Sequence, residues 1–217
     1  TPAYAILSGL VGSEMCIRDR VRTNLNSPFA SSISSAIACI KAVLTDPDIP
    51  FNEGAERAIT VKIPHGSILN PKAPAPVRAR LLPSYRVVNA VMDALSHAVP
   101  DRVIAPGFDT TSVSCLSHRN DTGYNIYLEI FGGGFGAGPN NDGCDAVDSM
   151  LSNCSNIPIE SMESDYPFFR VEDYSLRSTS GGDGKNRGGM GFQRIYKILK
   201  EDVNFATYGD CLLYTSD

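Results

Sequence analysis

The sequence predicts an α+β fold in which two early helices pack on a mainly antiparallel or mixed β-rich C-terminal part that carries glycine-rich loops. Three observations predict this class. Apolar residues recur at helical spacing in two segments before residue 100, and they alternate with polar residues across 124–130. Glycine-rich segments at 132–143 and 180–191 each follow a predicted strand.

The first helix is predicted to begin at Ser27-Pro28, with Ser27 as the N-cap and Pro28 at the first helical position. The turn-forming run Asp46-Pro47-Asp48 ends it. Apolar residues at helical spacing form one face between these limits: Phe29, Ile33, Ile37, Ile40 and Leu44.

The next three segments are predicted to be a strand, an irregular connection and a second helix, in that order. Residues 59–63 alternate apolar and polar side chains, which predicts a strand. The stretch from Asn70 to Pro83 contains four prolines, which predict an extended connection without regular structure. A second helix is expected from near Ser84, limited by Pro100. Its apolar face comprises Tyr85, Val88, Val91, Met92 and Leu95.

The remaining chain is predicted to be rich in β-structure. Residues 124–130 show strict alternation, and residues 167–177 read as a further strand. Residues 191–208 are expected to form a hairpin that turns near Glu201-Asp202.

Composition excludes several classes of function. The net charge of −5 and the absence of a lysine or arginine block argue against a nucleic-acid partner. No stretch of about 20 apolar residues predicts a membrane span. The six cysteines are scattered and no export signal is evident, so we expect a cytoplasmic protein with reduced thiols.

Both ends of the chain resemble translated sequencing adapter. Residues 11–20 read VGSEMCIRDR, and the chain ends with CLLYTSD. Apart from the outermost bases, codons that can encode residues 15–19 and 211–215 are reverse complements, as expected if one transposon end flanks the insert. We therefore expect residues 1–20 to be a non-native or uncertain leader and residues 211–217 a tail, leaving residues 21–210 for fold reasoning.

The two glycine-rich segments read GGGFGAGPNNDG and SGGDGKNRGGMG. Glycine permits close backbone approach, and consecutive N–H groups in such loops can bind an anion. A phosphate-binding Walker loop does not fit, because Lys185 is followed by Asn186 in place of a serine or threonine. For each loop taken alone, a tight turn between strands is the more common explanation.

Three ordered motifs carry a family resemblance. They are RVVNAVMDAL, YLEIFGGGFGAGPNNDGCDAV and YPFFRVEDYSLRSTSGGDGKNRGGMGFQRIYKIL. In this order they resemble the C-terminal region of the hydantoinase B/oxoprolinase family, and the resemblance spans residues 21–210. It implies a fragment of the B-type subunit of an ATP-dependent hydantoinase/5-oxoprolinase-like amidohydrolase, which opens the C–N bond of five-membered cyclic amides.

The resemblance also implies partners and cofactors. ATP would be handled by a hydantoinase A-type ATPase subunit, which makes the expected assembly a hetero-oligomer. A divalent metal would be bound in a part of the family upstream of residue 21, so we expect the fragment alone to be inactive and assign it no metal ligand. Two alternatives stay open: a fragment of an ATP-dependent acetone- or acetophenone-type ketone carboxylase subunit, or a non-catalytic assembly region of such a complex.

No catalytic residue is assigned, but the loops supply candidates for binding substrate or phosphate. Asp142 could orient a cation or brace a loop, and Arg187 could make a bidentate contact with a phosphate or carboxylate. For both residues, a structural salt bridge or loop clamp is the competing explanation. The other candidates are glycines whose N–H groups could stabilise developing charge: Gly132, Gly133, Gly134, Gly136, Gly143, Gly181, Gly182, Gly184, Gly188 and Gly189.

Two departures from the family pattern bear on specificity. Many members carry histidines in a run like S-A-V-H-x-H-M-T-N, whereas this chain has DAVDSMLSN with Asp148. Members often show E-T-S-Q-R before the R-V-V helix, whereas this chain has LPSYR. If these positions line a substrate pocket, the substrate differs from that of the common hydantoinases.

Overall fold

A computed structural model describes residues 20–110, 112–121, 123–152 and 157–208. They divide into two compact units. The first comprises the described residues up to Pro106 together with Gly138–Asn141, and the second comprises Gly107–Ala137 and the described residues from Asp142 onward. The adapter-like segments 11–20 and 211–217 lie outside the described residues, except for Arg20.

The first unit is built on two long helices, α1 (Phe29–Leu44) and α3 (Leu81–Ser96), which pack against each other. Between them lies the single-turn helix α2 (Glu53–Glu56), and a 3₁₀ turn (Pro100–Arg102) follows α3. The predicted apolar face of α3 is confirmed, because all of its members are buried. The buried apolar residues of both long helices are Ala36, Ile37, Cys39, Val43, Leu82, Tyr85, Val88, Val91, Met92 and Leu95.

The predicted start of α1 is wrong by one position. The helix begins at Phe29, and Pro28 occupies the N-cap without a side-chain capping bond. Ser27 is fully buried instead, with its Oγ 3.4 Å from Ser84 Oγ and its N–H donating to the Ile68 carbonyl. Ser27 therefore ties helix α1 to its neighbours rather than capping it.

Two further predictions for this unit need correction. Helix α3 begins at Leu81, ahead of the predicted start near Ser84, because a proline such as Pro83 is tolerated in a first turn where its missing N–H has no helical acceptor. Residues 59–63 are neither helix nor strand. Alternation alone does not make a strand, since the backbone also needs a neighbouring strand to pair with.

The second unit contains two antiparallel sheets, which confirms the α+β class. One has the strand order β2-β1-β5 and the other pairs β3 with β4. A short helix, α4, precedes β3. The bounds are β1 Ser112–Asn120, β2 Gly123–Phe131, α4 Ile159–Asp165, β3 Phe169–Leu176, β4 Phe192–Ile198 and β5 Val203–Tyr208.

The predicted strands at 124–130 and 167–177 are confirmed as β2 and β3. The segment 191–208 contains two strands as expected, but the predicted hairpin is wrong. Strand β4 pairs with β3, and β5 pairs with the central strand β1, which the sequence pattern did not predict. The turn near Asp202 does not determine how β4 and β5 pair, because each strand pairs with a segment that is not its neighbour across that turn.

The inner face of the β1–β2 hairpin covers the core of this unit. Tyr127 and Glu129 of β2 are buried, whereas Ile126 and Leu128 on its outer face are 54% and 47% exposed. The core cluster comprises Leu116, Tyr127, Met162, Phe168 and Phe169. Among the described residues, no helix combines the length and apolar composition that crossing a membrane requires.

Candidate functional site

The two glycine-rich segments are joined backbone to backbone in the second unit. The Gly189 N–H donates to the Phe135 carbonyl at 2.8 Å, and the Phe135 N–H donates to the Cys144 carbonyl at 2.9 Å. The Gly143 N–H donates to the Arg187 carbonyl at 2.7 Å. We call this structure, formed by residues 132–137, 142–147 and 180–191, the glycine clamp.

Three glycines of the clamp lie where no side chain fits. A Cβ at Gly134 would overlap the backbone of Gly189, and one at Gly143 would overlap the Phe135 carbonyl. A Cβ at Gly189 would overlap the carbonyl of Cys144. Close backbone approach between the two segments is therefore the reason for glycine at these positions.

The other candidate glycines of the first segment also pack closely. Gly132 lies against the backbone of residues 147–148, and Gly133 lies against the side chain of Phe108. The Gly133 N–H donates to the Val147 carbonyl at 2.9 Å, and Gly136 is buried. This end of the clamp is part of the packed interior.

The second segment is tight at its base and open at its tip. The Gly188 N–H donates to the Gly182 carbonyl at 2.9 Å, and a Cβ at Gly181 would come within 2.6 Å of the Gly188 carbonyl oxygen. Gly182 and Gly184 are exposed, and a Cβ at Gly182 would meet no atom within 4 Å. The tip around residues 182–185 is the solvent-facing part of the clamp.

The two charged candidates, Asp142 and Arg187, meet inside the clamp. The Arg187 backbone N–H donates to Asp142 Oδ1 at 2.7 Å. Its guanidinium donates to Asp145 Oδ1 at 2.8 Å and to the Gly188 carbonyl at 2.8 Å. Asp145 Oδ1 also accepts the Met190 N–H at 2.7 Å. Both aspartates thus brace the second segment against the first.

Asp145 is the residue of this network that the sequence pattern did not single out. The hydrogen bond from Arg187 holds the pKa of the Asp145 carboxyl below its ordinary value of 3.8, and the same bond raises the pKa of Arg187. The only sequence signal was its place just after the DG of the first segment, since a salt bridge over this sequence separation is visible only in the fold.

A second polar cluster lies on the inner face of β2, where β4 packs against it. Glu129 accepts hydrogen bonds from Tyr127, Tyr196 and Arg194. The side chains of Glu129 and Arg194 are only 9% and 1% exposed. We call these four residues the Glu129–Arg194 cluster. In the sequence the cluster is marked only by two charged residues within strands, Glu129 in β2 and Arg194 in β4.

Burial and hydrogen bonding fix the protonation of this cluster. Burial, reinforced by the charge of Glu129, raises the pKa of Tyr196 to about 12, and burial with the Glu129 hydrogen bond also raises the pKa of Tyr127. Burial acts to lower the pKa of Arg194, but its hydrogen bond to Glu129 outweighs this and raises it. At neutral pH both hydroxyls are donors and the guanidinium is charged.

The described ranges contain no group of three or more histidine, cysteine, aspartate or glutamate side chains placed to bind a metal ion. Asp148 lies in the segment where many family members carry histidines. Its Oδ1 accepts the Ser149 N–H at 2.8 Å. Asp148 Oδ2 is buried without a partner in the part of the chain that the structure describes.

Comparison with known proteins identifies relatives over most of the chain. The chain is 40% identical over 178 residues to an uncharacterized protein of Methanocaldococcus jannaschii, covering 82% of this chain and 31% of that protein. It is 35% identical over 179 residues to a 5-oxoprolinase of Dictyostelium discoideum, covering 82% and 13%. The chain thus spans a third or less of the length of these relatives.

A solved structure shares the fold. The nucleotide-free structure of acetone carboxylase superposes with a TM-score of 0.69 at 18% identity, covering 87% of this chain and 26% of that one. The model of the hydantoinase B/oxoprolinase family matches residues 17–215, which include the glycine clamp and the Glu129–Arg194 cluster. The chain therefore belongs to the hydantoinase B/oxoprolinase family.

Proposed function

We propose that this chain is part of the B-type subunit of an ATP-dependent amidohydrolase that opens five-membered cyclic amides of the hydantoin or 5-oxoproline kind. The observation that carries the proposal is the glycine clamp. The two glycine-rich segments through which the chain resembles the family form one backbone-bonded structure, so they act together. In this proposal a hydantoinase A-type subunit handles ATP, and a part of the family protein upstream of residue 21 binds the metal.

The clamp would serve this activity by holding loop geometry. Gly133, Gly143, Gly188 and Gly189 donate their N–H groups within it, so these donors shape the loops. The tip at residues 182–185 faces solvent, so in this proposal its backbone N–H groups are the donors that would contact an anion. This division assigns positioning to the base of the clamp and any direct ligand contact to its tip.

The test is turnover by the family-length protein that contains this chain, purified with an A-type partner. We expect ATP-dependent ring opening of hydantoin or 5-oxoproline, measured by chromatography of the product alongside release of ADP. Bicarbonate-dependent carboxylation of acetone or acetophenone would instead identify a ketone carboxylase. ATP consumption with neither product would contradict both activities.

An assembly role is the second candidate, and the outer face of the β1–β2 hairpin favours it. Tyr124, Ile126 and Leu128 on that face are each about half exposed or more. Substitution of Arg187 by alanine in the family-length protein separates the candidates. Loss of the complex with intact folding supports assembly, whereas loss of turnover in an intact complex supports a role in the active site.

A further inference from the structure

Arg194 has guanidinium nitrogens that form no hydrogen bond within the described residues. Its Nη1 donates to Glu129, while Nε and Nη2 are buried without a hydrogen-bond partner among the residues that the structure describes. The Nε N–H and one of the two Nη2 N–H groups point the same way from one edge of the planar group, which suits an oxygen acceptor. Buried donors are rarely left unpaired, so this edge is expected to have an acceptor from either water or a ligand.

Ser114 is a second buried group with unused hydrogen-bonding capacity. It lies directly opposite Glu129 in the β1–β2 register, which places both side chains on the inner face of the hairpin. Its Oγ is buried and has no partner within the described ranges. Arg194 thus contacts the Glu129 carboxylate and Ser114 lies opposite Glu129 in the sheet, and each has hydrogen-bonding capacity left over.

The charge of the cluster restricts what these groups can bind. Glu129 already balances Arg194, and its carboxylate receives two tyrosine hydroxyls as well. A second anion would add an uncompensated buried charge, which is strongly unfavourable. The groups left over are two donor nitrogens, Nε and Nη2 of Arg194, and one hydroxyl that can accept. They match a neutral ligand with a carbonyl oxygen beside an N–H.

We propose that Arg194 and Ser114 form a binding site for the uncharged amide unit of a cyclic amide, an inference that rests on the proposed function. Nε and Nη2 of Arg194 donate to the carbonyl oxygen, and Ser114 Oγ accepts the ring N–H. Tyr174, which is half-buried, stacks over Arg194 with its ring centroid 4.1 Å from the guanidinium carbon.

Wild-type protein tests this site without any substitution. We expect 2-pyrrolidone to bind about tenfold more tightly than N-methyl-2-pyrrolidone, which keeps the carbonyl but lacks the N–H. Dissociation constants are measured by titration followed through NMR chemical shifts of the full chain. Equal binding of the two compounds, or no binding of 2-pyrrolidone, would overturn the proposal.

Substitutions then locate the site. Ser114→Ala removes a hydroxyl that has no partner within the described residues, so we expect unchanged or higher thermal stability together with about tenfold weaker 2-pyrrolidone binding. Binding of the N-methyl compound should not change. The matched control is Ser117→Ala, on the outer face of the same strand, which should leave both affinities unaltered. Equal effects of the two substitutions would contradict the assignment.

The same variants separate this inference from the proposed function. Ring opening by the family-length complex that is unaffected by Ser114→Ala would overturn the site while leaving the activity intact. Selective loss of 2-pyrrolidone binding in Ser114→Ala, in a complex that opens no cyclic amide, would support the binding site and contradict the proposed hydrolase.

Discussion

Individual glycines in the clamp differ in what they tolerate, because their surroundings differ. Gly134 faces the backbone of Gly189, which cannot move aside as a flexible side chain would. Gly182, in the second segment, faces open space. The sequence pattern identifies both as loop glycines but cannot rank them, because the distance between segments remote in sequence is a property of the fold.

This difference gives a matched pair of substitutions. Gly134→Ala should lower the free energy of unfolding by about 2 to 3 kcal/mol, since its Cβ forces the two segments apart. Gly182→Ala should change it by less than about 0.5 kcal/mol. Urea denaturation followed by circular dichroism compares them, and similar midpoints for the two variants would show that the clamp is not closed as described.

Glu129 offers a second test at the scale of the residue. Glu129→Gln leaves the buried Arg194 charge without its counter-charge and should cost about 3 kcal/mol of stability. The double variant Glu129→Gln/Arg194→Met removes both charges and should be less destabilised than the single one. Chemical denaturation measures both, and a double variant that is less stable than Glu129→Gln would argue against an ion pair.

Asp145 predicts a pH dependence. Arg187 lowers its pKa in the folded protein, so its stabilising contribution is present above the unfolded value of about 4. That contribution is lost as the pH falls through the lower folded pKa. Asp145→Asn should therefore show a flatter loss of stability below about pH 4 than the wild type, measured by denaturation across about pH 2 to 6. If the stability of the wild type and of Asp145→Asn falls equally steeply below about pH 4, protonation of Asp145 is not linked to unfolding.

At the scale of the element, local pattern determined which segments form strands but not how they pair or face. Alternation predicted β2 correctly, yet the face rich in isoleucine and leucine is the exposed one. Two strands in 191–208 were predicted, but their partners are β3 and β1. The pairing of a strand and the face that it buries depend on segments distant in sequence. The Glu129–Arg194 cluster joins two such strands, so the sequence pattern did not predict it.

The two faces of the hairpin can be compared with one substitution type. Leu116→Ala on the inner face of β1 should cost about 3 kcal/mol, because it leaves a cavity in the core cluster. Leu128→Ala on the outer face of β2 should cost less than about 1 kcal/mol, since that side chain is 47% exposed. Thermal or urea denaturation decides, and equal costs would mean that the outer face is covered.

At the scale of the whole molecule, the exposed apolar residues of the hairpin should govern how the isolated chain behaves in solution. Ile126→Lys/Leu128→Lys should reduce self-association, measured by light scattering against concentration, with little change in unfolding midpoint. The control Ser178→Lys/Thr179→Lys adds the same charge at exposed polar positions without removing apolar surface. An equal effect of the control would assign the change to net charge alone.

The clamp also has a kinetic consequence. Its two segments are far apart along the chain, so the entropy of closing the intervening loop opposes their meeting until the strands around them have formed. Contacts made after the folding barrier slow unfolding more than they speed folding. The glycine clamp would thus close late in folding, slow unfolding and lengthen the lifetime of the native state.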